Sequence, residues 1–96
     1  GGLWVSAVVG EMALASHDTV SEAAVVGHLD KDEFVKPKAF VVLKYGCGSD
    51  ADAKDLQNFV KDRLAPYKYP RWISFVDDLP KTATGKIQRF KLRNYG

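Results

Sequence analysis

Lys38-Ala39-Phe40-Val41-Val42-Leu43-Lys44 places five apolar residues between two lysines. Successive side chains of an extended chain point to opposite faces, so Phe40 and Val42 share one face while Ala39, Val41 and Leu43 share the other. Both faces are apolar, and a strand of this kind belongs in the interior of a sheet covered on both sides. Upstream, Val20 to Gly27 is a second run rich in β-branched residues. The charged stretch Asp30-Lys31-Asp32-Glu33 between them suits a solvent loop joining two strands. Downstream, Ser49-Asp50 precede a segment in which Leu56, Phe59, Val60 and Leu64 recur at i, i+3, i+4 and i+8. That spacing predicts one apolar stripe on a helix ended by Pro66, with Lys54, Lys61 and Asp62 off the stripe in water.

Pro70-Arg71 lead into a third strand, Trp72-Ile73-Ser74-Phe75-Val76, which stops at Asp77-Asp78 and Pro80. A loop, Lys81-Thr82-Ala83-Thr84-Gly85, and a short terminal helix from about Gln88 follow. Near the start, Ser6 is a candidate cap for a helix over roughly Ala7–Ser16. Val8, Met12 and Ala15 recur there at helical spacing, and Gly10 costs about 1 kcal/mol relative to alanine. Gly1-Gly2-Leu3-Trp4-Val5-Ser6 reads like the interior of a longer sequence, beginning at or in a linker. This order predicts a small α+β domain, one sheet of about three strands with covering helices, occupying residues 1–96.

With 46% hydrophobic and 27% charged residues, the chain has the composition of a folded domain rather than a disordered one. A single cysteine, Cys47, excludes an internal disulfide framework, and His17 and His28 are too few to complete a zinc site. No apolar run approaches the roughly 20 residues that cross a bilayer, and the start lacks the order of a signal peptide. A cytoplasmic protein without a membrane partner is expected. Residues 1–65 carry seven Lys/Arg against ten Asp/Glu, whereas residues 66–96 carry seven against two. The basic last third suits an anionic partner, although charge alone favours a solvated surface.

The loop before Lys86 is where chemistry is concentrated. Gly85 lets the backbone take conformations closed to other residues, and Lys86 brings a point charge suited to a phosphate or carboxylate oxygen. A phosphate-binding P-loop would need a glycine five residues before its Gly-Lys and a Ser/Thr after it; Pro80 and Ile87 stand there instead. In isolation the pair also fits a plain turn with a solvated lysine.

The whole run Leu79-Pro80-Lys81-Thr82-Ala83-Thr84-Gly85-Lys86-Ile87-Gln88-Arg89 resembles the C-terminal signature of the adenylate-forming superfamily: acyl-CoA synthetases, luciferases and peptide-synthetase adenylation domains. The resemblance extends upstream. Gly1 to Ser6 look like the loop after the interdomain hinge, Glu22 to Gly27 like the following strand, and Lys36 to Val42 like the next. Ala65-Pro66-Tyr67-Lys68-Tyr69-Pro70-Arg71 is similar to the segment ahead of the third strand, so nearly the entire chain is covered. The wording Lys36 to Leu43 and Tyr67 to Arg71 is most similar to benzoate and 4-hydroxybenzoate CoA ligases.

The resemblance implies an AMP-forming acid–thiol ligase acting on an aromatic carboxylic acid. ATP and CoA are then co-substrates, with Mg2+ accompanying ATP, and the large N-terminal domain of the same ligase is the main partner. Family members adenylate the acid, then rotate the small domain so that CoA displaces AMP. Lys86 matches the catalytic lysine that bridges the substrate carboxylate and the α-phosphate. Gly1 and Gly2 match the pantetheine tunnel, and Phe34, Tyr67, Lys68 and Arg71 match the place of the CoA nucleotide. Strand-edge packing for the tyrosines and a solvated surface for Lys68 and Arg71 are the competing readings, and Trp4 and Trp72 read as core or interface residues. Lysines matching Lys86 are acetylated in relatives, which implies a protein acetyltransferase as a further partner, reading the basic surface around Lys81, Arg89, Lys91 and Arg93. Without the large domain the chain is expected to be inactive as a ligase.

Two positions depart from the family's pattern. Ser6-Ala7-Val8-Val9-Gly10-Glu11 stands where relatives read Ser-Pro-x-Glu-x-Glu, which puts polar contacts of the first helix in doubt, and Val35 replaces a common glycine near the CoA adenine. The alternative from another class is a free-standing basic module binding nucleotide or nucleic acid. The chain has no helix-turn-helix and no run resembling the RNA-recognition signature, so a nucleic-acid partner is not expected.

Overall fold

The computed structural model describes residues 2–45, 48–64 and 69–92, with the side chains of residues 2–7 left aside. Gly1, Tyr67 and Lys68 of the expected site, and Arg93 of the basic surface, lie outside the described residues. The element order is α1 (Gly2–Ala15), β1 (Val20–Leu29), β2 (Val35–Leu43), α2 (Asp50–Arg63), β3 (Trp72–Phe75) and α3 (Arg89–Leu92).

β2 is central, as its two apolar faces require: the three strands lie in the order β1-β2-β3. β1 pairs with it antiparallel from Val20↔Leu43 to Leu29↔Val35, and β3 pairs parallel from Lys38↔Trp72 to Val41↔Phe75. The parallel pair needs a long crossover, which α2 supplies. A register shift between Val20 and Glu22 interrupts the alternation of β1. Val20 therefore joins Ala23 and Val25 on one face instead of the opposite one.

The sheet is covered twice. Ala23, Val25, Ala39 and Val41 pack with Leu14 of α1 and with Leu56 and Val60 of α2. Ala24, Val26 and Phe40, from the other side, pack with Leu79 and Leu92 of the C-terminal segment. Phe40 is 1% exposed, so truncating it to alanine removes about 3–5 kcal/mol of packing.

α2 forms where its sequence predicts. The Ser49 hydroxyl accepts from the Asp52 N–H at 3.3 Å and the Asp52 carboxylate accepts from the Ser49 N–H at 3.0 Å, a reciprocal cap that satisfies two otherwise orphaned donors. Leu56 and Val60 form the buried stripe, while Phe59 is half-buried beneath the Arg63 guanidinium, 3.5 Å from the ring centroid. The helix ends at Arg63, ahead of Pro66. The Gln57 side chain then donates to the carbonyls of Pro70 (3.0 Å) and Arg71 (3.2 Å), fastening the approach to β3.

α1 corrects two expectations. It begins at Gly2, so Ser6 lies inside the helix and is not its cap, and the segment read as a loop after a hinge is helical from Gly2 onward. Its packed side is also different: Leu14 is fully buried and Gly10 buried, whereas Met12 is 69% exposed and Ala15 faces water. The cause is close approach to β1. A β-carbon at Gly10 would stand 3.8 Å from Val25 Cγ2, so the glycine row is the side that meets the strand.

Candidate functional site

Lys86 leaves a hairpin built from its own local sequence. Lys81 and Ile87 form an antiparallel bridge at its base, and the Gln88 N–H donates to the Pro80 carbonyl at 2.8 Å. Within it, the Thr82 N–H donates to the Lys86 carbonyl (2.8 Å) and the Gly85 N–H to the Thr82 carbonyl (2.9 Å). The Thr82 hydroxyl accepts from the Lys86 N–H at 3.1 Å and lies 3.0 Å from the Thr84 hydroxyl. Gly85 has φ of +88°, in the left-handed region, which glycine adopts without the strain a β-carbon brings. Lys86 is exposed, and among the described residues no carboxylate is paired with it. What results is a cation on a backbone-ordered support, free to meet an anion brought from outside.

The flanks of the hairpin are not free. Lys81 is ion-paired with Glu22 at the start of β1 and lies 3.8 Å from Asp78. The hydrogen bond that the Lys81 ammonium donates to Glu22, ahead of the carboxylate's charge, raises the Lys81 pKa above the ordinary lysine value. On the other flank, Arg89 Nε donates to Glu11 Oε2 at 2.8 Å and Arg89 Nη2 to Glu11 Oε1, which raises the arginine's pKa further. The same Glu11 carboxylate accepts from the Val25 N–H at 3.0 Å. Glu11 thus reaches the outer edge of β1, satisfying a strand-edge donor that β2 does not pair and joining α1 to the C-terminal segment. Two of the residues expected to form an open basic surface, Lys81 and Arg89, are engaged in these pairs.

Phe34, Arg71 and Gly2 were the other expected site residues within the described chain. Phe34 sits on the β1–β2 loop, 64% exposed, with Lys36 Nζ 5.7 Å from its ring centroid. Arg71 is exposed just before β3; its N–H donates to the Pro37 carbonyl at 2.9 Å and its guanidinium lies 5.5 Å from the Tyr69 ring centroid. Trp72, half-buried, meets His28 edge to face at 5.0 Å. The register puts His28 opposite Lys36 and Trp72 opposite Lys38, so Phe34 and Arg71 share one end of the sheet. The base of the Lys86 hairpin is tied through Lys81 to Glu22, near the opposite end of β1. Seven residues of extended strand, roughly 23 Å, separate Glu22 from Leu29. Gly2 heads α1.

Glu11 and Glu22 escaped the sequence reading as site residues. The available signal was a lone carboxylate in an otherwise apolar helix and another at the head of an apolar strand, each costly to half-bury without a cationic partner. No cluster of three or more His, Cys, Asp or Glu side chains able to hold a metal occurs among the described residues.

Residues 10–86 match the AMP-binding enzyme C-terminal domain family. The chain is 64% identical over 94 residues, 97% of its length, to a benzoate–CoA ligase of Thauera aromatica, of which it spans 18%. It is 50% identical over 94 residues, 96% of its length, to a 4-hydroxybenzoate–CoA/benzoate–CoA ligase of Rhodopseudomonas palustris, of which it spans 17%. In three dimensions it superposes on a benzoate CoA ligase from Burkholderia xenovorans LB400 with a TM-score of 0.85 at 64% identity, covering 92% of this chain and 18% of that one. The chain thus spans less than a fifth of the length of these relatives. Sequence match, superposition and the Gly85-Lys86 hairpin agree: the chain belongs to the AMP-binding enzyme C-terminal domain family.

Proposed function

We propose that this chain is the mobile C-terminal domain of an ATP-dependent, AMP-forming acid–CoA ligase for an aromatic acid of the benzoate type, and that Lys86 is its adenylation lysine. The observation that carries the reading is the exposed Lys86 ammonium, unpaired among the described residues, on a hairpin ordered by its own backbone hydrogen bonds. The names of the similar proteins point to the aromatic acid. In the adenylation step negative charge builds on the α-phosphate as the carboxylate attacks. A cation already held in place stabilises that charge without reorganising, and removing one such donor lowers the rate by about two to three orders of magnitude. Lys86 takes no proton in this role. ATP, with its Mg2+, and the acid are held by the large N-terminal partner domain.

The second half-reaction uses the other end of the sheet. Phe34 offers an exposed aromatic face for an adenine, and Arg71, with Lys68 and Tyr67 beside it in sequence, offers charge for the CoA phosphates; the resemblance assigns Gly1 and Gly2 to the pantetheine tunnel. The roughly 23 Å between Glu22 and Leu29 supports two alternative faces, because one static pose cannot bring both ends to one reacting carbon. Acetylation of Lys86 by a protein acetyltransferase would keep the side chain's length and remove its charge, silencing adenylation without touching the core. Among the described residues, no helix is long and apolar enough to cross a membrane.

The test is Lys86→Ala in the full-length ligase, with the half-reactions measured separately. Adenylation should slow by about a hundredfold or more, while thioester formation from preformed acyl-adenylate changes little. Equal slowing of both steps would contradict the assignment.

A further inference from the structure

Lys86 works, on the reading above, only if its hairpin projects from the domain in one fixed direction, and the hairpin's own hydrogen bonds do not set that direction. They order Pro80 to Gln88 internally, but a two-stranded hairpin with a single bridge pair can still swing about its base. What ties it to the rest of the fold is a pair of ionic contacts, one per flank. Lys81 grips Glu22, and Arg89, two residues beyond the bridge, grips Glu11, which is itself anchored on the Val25 N–H. Just outside these grips in sequence, Leu79 and Leu92 enter the core, so the segment is pinned in depth by packing and in azimuth by charge. Both carboxylates come from the side of β1, and both cations come from the segment that bears Lys86.

We infer that Glu22 and Lys81 are positioning residues for the adenylation step: their ion pair, opposite the Glu11–Arg89 contact, fixes the angle at which the Lys86 hairpin enters the partner domain's active site. The pair touches no substrate. Side-chain exposures of 30% for Lys81 and 32% for Glu22 leave it only half-screened, and it bridges elements nearly sixty residues apart, so its chief effect is on geometry rather than on net stability. A misplacement of about 1 Å at the reacting charge can cost up to a hundredfold in rate, and the surviving Arg89 contact limits the swing. The inference rests on Lys86 being the adenylation lysine.

Glu22→Gln, Lys81→Met and the double variant in the full-length ligase test it, with Lys86→Ala as control and both half-reactions measured. Each single variant should lower kcat of adenylation by roughly tenfold with KM for ATP and acid held within about twofold. Thioester formation from preformed adenylate should be unchanged, because another face then meets the active site. The double variant should be no slower than either single one, since both remove the same contact. Lys81→Arg, which keeps the ion pair, should restore most of the rate. Equal loss in both half-reactions, or full adenylation rates for Glu22→Gln and Lys81→Met beside a crippled Lys86→Ala, overturns the positioning role while sparing the assignment of Lys86. Normal adenylation in Lys86→Ala overturns the assignment and this inference with it.

Discussion

Gly85→Ala isolates a single backbone effect, because the site has nothing else to disturb. A β-carbon built at Gly85 meets no atom within 4 Å, so substitution creates no clash; it only forces an L-residue to hold φ of +88°. Holding a non-glycine residue in the left-handed region costs roughly 1–2 kcal/mol. Part of this is offset because alanine stiffens the unfolded chain by about 0.4–1 kcal/mol relative to glycine. The expected net loss is about 1 kcal/mol, or a drop in Tm of about 4–8 °C for a domain of this size. The chain carries its own counter-experiment in the β1–β2 loop. There the Asp30 N–H donates to the Phe34 carbonyl and the Glu33 N–H to the Asp30 carbonyl, while the Asp30 carboxylate accepts from the Phe34 N–H. This repeats, group for group, the pattern of Thr82, Gly85 and Lys86, with Glu33 at φ of +65° in the glycine's place. Glu33→Gly should therefore relieve strain and equal or exceed the parent in stability. Urea unfolding followed by tryptophan fluorescence, at constant m, measures both. A Gly85→Ala chain as stable as the parent, or a Glu33→Gly chain weaker by more than about 1 kcal/mol, would refute the reasoning.

Glu11→Ala strips the acceptor from both the Val25 N–H and the Arg89 guanidinium, and should destabilise the chain by about 1–3 kcal/mol with faster hydrogen exchange at the Val25 amide. Unchanged exchange there would show that the carboxylate does not guard the strand edge. Gly48→Ala drives a β-carbon into the ring of Phe75, and the overpacking should cost about 1–3 kcal/mol in a thermal melt. At high pH the sign follows from the raised Lys81 pKa. The contribution of the Glu22–Lys81 pair is present in full below the ordinary lysine value of 10.5 and is lost as pH rises through the higher folded value. The stability difference between the parent and Lys81→Met should hold steady from neutral pH to about 10 and shrink only above it, and a difference that fades between pH 7 and 9 would contradict this.

Local chemistry alone was enough for the elements that repeat a clean pattern. Phe40 and Val41 made β2 apolar on both faces and therefore central, Leu56 and Val60 set the buried side of α2, and Ser49 with Asp52 marked its start, because each signal lies within a few residues of the structure it specifies. The segment before Lys86 was legible as a loop for the same reason, since Thr82 and Gly85 bond to their own neighbours; its closure into a hairpin by the Lys81–Ile87 bridge was not. α1 was legible as a helix over residues 7–15 but not in its start or its packed side, since a helix reading Gly-Leu-Trp-Val-Ser-Ala-Val-Val-Gly-Glu-Met-Ala-Leu-Ala is apolar nearly all round and its periodicity prefers no side. Contact with Val25 chose the Gly10 and Leu14 side and left Met12 in water. Nor could any local rule pair Glu11 with Arg89, 78 residues away, or Glu22 with Lys81. Those partners meet only once β1 lies between the helix and the C-terminal segment. The proposed cation, Lys86, could be read from the chain, whereas the pairing of Glu11 and Glu22 with Arg89 and Lys81 was decided by packing.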